Sequence, residues 1–90
     1  DWTAIGALHA IHAAGLRVPE DISLVGFDDI PLASYTNPAL TTVRMSARDV
    51  GATAFQALFA LIGQERVEGD VYQVGTQLIV RESTAKPRKR

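Results

Sequence analysis

Ninety residues suffice for one modest hydrophobic core, and an apolar content of 47% is that of an ordinary globular chain. No run reaches the ~18–20 apolar residues of a membrane span, and the lack of cysteine excludes disulfides and thiolate metal sites. Residues 1–85 carry five basic and ten acidic groups, a net charge of −5, which is a poor match for a phosphate backbone. Lys86, Arg88, Lys89 and Arg90 put four basic groups at the chain end, where they read as a solvated, disordered tail over 85–90. The chain opens on Asp1-Trp2, without Met or a basic leader and almost at once in helical pattern, as a fragment of a longer protein would.

The first predicted element is a helix over 3–14. Thr3 is a candidate N-cap, and Gly15 stands where a glycine closes a helix in left-handed geometry. Ile5, Leu8, Ile11 and His12 make an apolar stripe at three- and four-residue spacing, and alanines thin the remaining surface. Val18-Pro19-Glu20-Asp21 is a turn, since Pro19 drives Val18 out of helical geometry. A strand over 22–27 follows; its near-continuous apolar character predicts burial on both faces, as in a parallel sheet. Residues 28–40 form a long connection with Pro31, Asn37 and Pro38. Leu32, Tyr35 and Leu40 suggest that it packs on the fold. Thr41–Met45 is a short strand rich in β-branched residues. Ser46 then caps a helix over 47–62, with Asp49 at the capping-box position and Gly63 closing it. Val50, Ala54, Ala57, Leu58, Leu61 and Ile62 line one face of this helix, broadened by Phe55 and Phe59. A polar turn over 65–70 and a strand over 71–81 end the pattern, with Gly75 marking a bulge or a close backbone approach.

Chemistry concentrates at Asp28-Asp29, the end of the first strand. Open α/β sheets bind ligands beyond the carboxyl ends of their strands, and an ionised carboxylate is an acceptor able to take two donors at once. Aspartate is equally favoured at strand ends for local backbone bonds, so both roles stand on these residues alone. His9 and His12 share a helix face, but no third ligand lies at metal-binding spacing. No serine has a nucleophile-elbow context, and no glycine-rich phosphate loop occurs. The sequence therefore predicts neither an enzyme nor a cofactor. A hydrolase or dehydrogenase fragment would need a catalytic constellation that is not legible.

Three strings, taken in order, carry a family likeness: Arg17–Asp29 (RVPEDISLVGFDD), Asn37–Val43 (NPALTTV) and Leu78–Thr84 (LIVREST). Together they resemble the C-terminal part of the LacI/GalR family of bacterial transcription regulators, over Asp1 to about Thr84. The resemblance implies a periplasmic-binding-protein-like (type I) α/β fold, an open parallel sheet flanked by helices, present as a C-terminal fragment. Residues 1–84 would hold pieces of both lobes of an effector-binding and dimerisation core, with hinge crossovers near 41–45 and 71–81.

By the same resemblance, Asp28 matches a ligand-contacting acid and Phe27 an aromatic position beside the pocket. Met45 falls where relatives often carry a polar effector contact, and Ala47 where some carry an aromatic. Asp1 matches the acid of an Asn-Asp pair. The dimer surface would use Ile5, Leu8, His9 and His12 of the first helix, with Tyr35, Thr36 and Asn37. The implied partners are a sugar-like small-molecule effector and a second copy of the chain. Operator DNA would be reached only through an N-terminal helix-turn-helix outside these residues. A cytoplasmic repressor without a membrane partner is the reading; the alternative is a sugar-binding protein of a transport system with the same fold.

Overall fold

The computed structural model describes residues 1–62 and 71–89. The elements run α1 (Trp2–Ala13), β1 (Val25–Phe27), a 3-10 turn (Pro31–Ser34), β2 (Thr41–Met45), α2 (Ala47–Leu61) and β3 (Thr76–Ile79). The sheet has the order β1-β2-β3. β1 and β2 are parallel, with Val25 opposite Thr41 and Phe27 opposite Val43. Residues 28–40 supply the crossover that parallel neighbours require. The chain divides into two units, Asp1–Arg44 with Gln77–Arg90, and Met45–Thr76. No helix among the described residues is long and apolar enough to cross a membrane.

In the first unit, α1 starts one residue earlier than its sequence suggests, with Asp1 rather than Thr3 at the N-cap. Its C-terminal end is as expected. Gly15 has φ +78°, its N–H donates to His12 O at 3.0 Å, and Leu16 N–H donates to Ile11 O at 3.1 Å. That pair of bonds is the Schellman closure of a helix. The inward stripe of α1 is Ala4 and Leu8, both buried, with Ile11 half-buried; His12 is exposed, not part of the stripe. Ala4 joins Ala33 and Leu40 in the buried cluster, with Leu24 and Ile30 packed against it. Small residues at two of those positions let helix and connection approach closely.

The connection 28–40 does pack, but through Ala33 and Leu40, which are fully buried. Leu32 and Tyr35 point outward, Tyr35 being 81% exposed. β1 is shorter than the expected 22–27 strand. It is also not buried on both faces: Val25 and Phe27 are 52% and 47% exposed. Side chains alternate across a strand, and only the Leu24 and Gly26 side meets the core.

The segment after β3 fastens this unit. Ser83, 1% exposed, donates its hydroxyl to Leu24 O at 2.6 Å and accepts Thr41 N–H at 2.8 Å. Its carbonyl accepts Leu24 N–H at 2.9 Å. Arg81 N–H donates to Thr41 Oγ1 at 2.9 Å. Beyond Thr84, where the sequence suggested a disordered tail, Ala85 N–H donates to Ser23 Oγ and the Arg88 guanidinium pairs with Asp21 at 2.8 Å.

In the second unit, Ser46 Oγ accepts Asp49 N–H at 3.2 Å, the N-cap bond its sequence position predicts. No residue of α2 is buried. Val50, Thr53, Ala57 and Leu61 are half-buried on one face. Phe55, Leu58 and Phe59 are 61–68% exposed, and the two phenyl rings stack with centroids 6.1 Å apart. Tyr72 and Val74 lie beside Val50, Thr53 and Ala54 around a shallow hollow. The expected strand over 71–81 shortens to Thr76–Ile79, and Gly75 has open space where a side chain would project, so it marks no close approach. Gly63 and the turn at 65–70 lie outside the described residues.

Candidate functional site

Where β1 ends, the backbone turns through two aspartates with positive φ, Asp28 at +106° and Asp29 at +52°. Asp tolerates the left-handed region better than most residues. Even so, two such residues in succession persist only where their surroundings fix them. Three consecutive N–H groups are held, two by β2 and one by Asp1 at the start of α1. Asp28 N–H donates to Val43 O at 2.8 Å, Asp29 N–H to Thr42 Oγ1 at 3.2 Å, and Ile30 N–H to Asp1 Oδ2 at 2.7 Å. The Thr42 hydroxyl in turn donates a hydrogen bond to Asp1 Oδ1 at 2.6 Å. Asp1 therefore does not cap α1 with its side chain; both its oxygens are committed to the turn. Gly26 makes room for this, since a Cβ there would collide with the Asp1 carboxylate and come within 3.0 Å of Leu40 Cδ2.

The two aspartates then part ways. The Asp29 carboxylate is 8% exposed and takes Arg81 Nη2 on one oxygen and Arg44 Nε on the other, each at 2.7 Å. The Arg81 hydrogen bond holds its carboxyl below the usual carboxylate value; burial opposes this, and Arg44 adds to the lowering. Asp29 is thus a structural anchor. Asp28 is exposed, and its carboxylate makes no hydrogen bond to another described residue. It stands with Phe27 on the rim of a concavity of about 460 Å³, whose lining also includes Asp1, Thr3, Ala7 and Gly26. An exposed carboxylate without a hydrogen-bonding partner among the described residues is an acceptor available to a polar guest.

Of the other residues singled out in the sequence, Met45 closes β2 and Ala47 opens α2, both in the second unit. On α1, His9 and His12 are exposed and Ile5 half-buried, whereas Leu8 is turned into the chain's own core and is 8% exposed. Leu8 therefore belongs to internal packing. Tyr35 and Asn37 are exposed; Thr36 is half-buried and bonds Ala33 O and Pro38 O locally. Among the described residues no cluster of three or more His, Cys, Asp or Glu could hold a metal ion. Sequence reasoning missed the anchoring roles of Arg81 and Ser83. Their partners lie some 40 to 60 residues away, and no local pattern announces such pairs.

Parallel β1 and β2, joined by a long crossover and flanked by α1, place the chain in the open α/β class. Residues 1–84 match the model of the periplasmic binding protein-like domain, and the chain belongs to that family. Within it, the chain is similar to LacI-type transcription regulators. The ribose operon repressor of Halalkalibacterium halodurans is 40% identical over 84 residues, 93% of this chain and 25% of the repressor. The dimeric Lac repressor with an 11-residue C-terminal deletion superposes with a TM-score of 0.81 at 38% identity, covering 98% of this chain and 32% of that one. A LacI family regulator from Enterococcus faecium, solved with bound ribose, gives 0.76 at 31% identity, covering 96% and 32%. The chain spans about a quarter of the length of the curated relatives it matches.

Proposed function

We propose that these residues form part of the effector-binding and dimerisation core of a LacI-type transcriptional repressor. The carrying observation is Asp28, a carboxylate at a strand tip with no internal partner among the described residues, facing a hollow. Its guest is a small, hydroxyl-rich molecule of the sugar class. Phe27, which lines the same hollow, offers an apolar edge beside it. The second unit and the first are pieces of two lobes, and the chain passes between them at 41–45 and 71–81.

The protein acts by linkage and not by catalysis. An effector that binds one lobe arrangement better than another shifts the population of that arrangement. The shift reaches operator-bound heads through a dimer built on Ile5, His9, His12, Tyr35, Thr36 and Asn37, with Leu8 as support from beneath. DNA contact belongs to an N-terminal helix-turn-helix outside this segment, and the working compartment is the cytoplasm. The repressor names of the relatives favour this reading over a sugar-binding component of a transporter.

Calorimetry on the intact protein tests it, with D-ribose as the first probe and other monosaccharides after it. Asp28→Asn, which keeps the shape and tolerates the positive φ, should weaken sugar binding at least about tenfold, a loss of about 1.4 kcal/mol, with little change in melting temperature. Equal affinities for the two proteins would remove Asp28 from the site.

A further inference from the structure

The Asp29 carboxylate is not needed to satisfy the turn's backbone, since the N–H groups of Asp28, Asp29 and Ile30 already have partners. It grips two arginines that have different places in the topology. Arg44 is the last residue of the first unit before the chain leaves it, and Arg81 follows soon after the chain re-enters at Gln77. Arg81 is also fixed at a second point, donating Nη1 to Leu40 O at 2.9 Å, and its side chain is only 17% exposed. A planar guanidinium bonded in this forked way has a set orientation. The neighbour of Asp29 is Asp28, whose carboxylate has no hydrogen-bonding partner among the described residues. Any rotation of the 28–29 peptide that re-aims Asp28 must drag a carboxylate held both by the outgoing strand β2, through Arg44, and by the segment after β3, through Arg81.

We propose that Asp29 is a positioning residue, which fixes the direction of the Asp28 carboxylate and ties that direction to the segments by which the chain leaves and re-enters the first unit. The inference rests on the effector-binding role given to Asp28. It goes further in assigning a second aspartate that touches no ligand but sets how well the first one does.

The test is Asp29→Asn in the intact protein, read by hydrogen exchange and by D-ribose calorimetry. Asn keeps the shape and tolerates positive φ while removing the charge. Exchange at the amides of Asp28, Asp29 and Ile30 should rise at least tenfold, with the α1 amides unchanged, and ribose affinity should fall about tenfold. Arg44→Gln, on the exposed arm of the pair, should give the same pattern at about threefold, and it serves if the first variant folds poorly. Unchanged exchange at 28–30 overturns the proposal. So does a rise shared equally by α1, which would make Asp29 a general stabiliser. A localised rise in a protein that shows no ribose heat supports the positioning role and counts against the sugar reading alone.

Discussion

The two units of this chain hide apolar surface to very different degrees. The first encloses Ala4, Ala33 and Leu40 and seals its strands with the Ser83 hydroxyl. The second presents Phe55, Leu58 and Phe59 at 61–68% exposure on a helix with no buried residue, and Ile62 just beyond it is equally open. Yet α2 has the cleaner local signals, an N-cap bond and a broad apolar face. Local sequence can specify a helix without supplying what covers it, because most helical stability in proteins comes from packing of that face. The first unit, by contrast, has a buried cluster fastened by polar bonds between distant residues, while one side of β1, with Val25 and Phe27, stays about half exposed.

The sharpest way to break this contrast is Phe59→Ala in the intact protein. If further residues of the protein cover the α2 face, truncation should cost about 3 kcal/mol by urea unfolding. A loss below about 0.5 kcal/mol, as for a surface substitution, would mean that the face meets solvent and that the two units are differently built by design. The next effect is Ser83→Ala. It leaves the Leu24 carbonyl and the Thr41 amide without their partner, and orphaned buried groups cost about 1–3 kcal/mol; we expect about 2 kcal/mol from the same measurement. Full retention of stability would show that the seal is dispensable.

The smallest effect is one of pH. Asp29 has its carboxyl lowered from the ordinary 3.8 by the Arg81 hydrogen bond, then by Arg44, against the opposing pull of burial. The folded state therefore takes up this proton less readily than the unfolded chain. The stabilisation is whole above 3.8 and is lost as pH falls below it through the lowered native value. The stability difference between wild type and Asp29→Asn should accordingly be largest near neutrality and shrink in acid. A gap that stayed constant down to about pH 2 would refute the assignment of charge to this pair.

Much of the fold was legible because its signals are local. Gly15, Ser46 and the three- and four-residue apolar spacings announce helix ends and faces within a few positions. The end of the first strand at Asp28-Asp29 was legible too, and the family likeness separated the two acids. What stayed hidden depends on distance along the chain. Nothing near Ala33 marks it as more buried than Leu32, because a 3-10 turn, not a strand or α-helix, decides which of them points inward. Asp1 looked like a residue before a helix and proves to hold Thr42 and Ile30. Arg81 and Ser83 appeared in the sequence only within the string Leu78–Thr84, and their meaning lies in Asp29, Leu24 and Thr41. Val25 and Phe27 misled in the opposite direction. Their hydrophobicity describes a strand meant for cover on two sides, and within this chain only one side has it.

The Ser83 hydroxyl bonds to Leu24 and Thr41 across separations of 59 and 42 residues. β1 and β2 can align early, but that knot cannot be tied until the polypeptide has travelled out through α2 and come back. Contacts of such long sequence separation slow folding through the entropy of closing the loop. The oldest part of the module to leave the ribosome therefore waits on one of the youngest, and α2 rides within the loop that has to close.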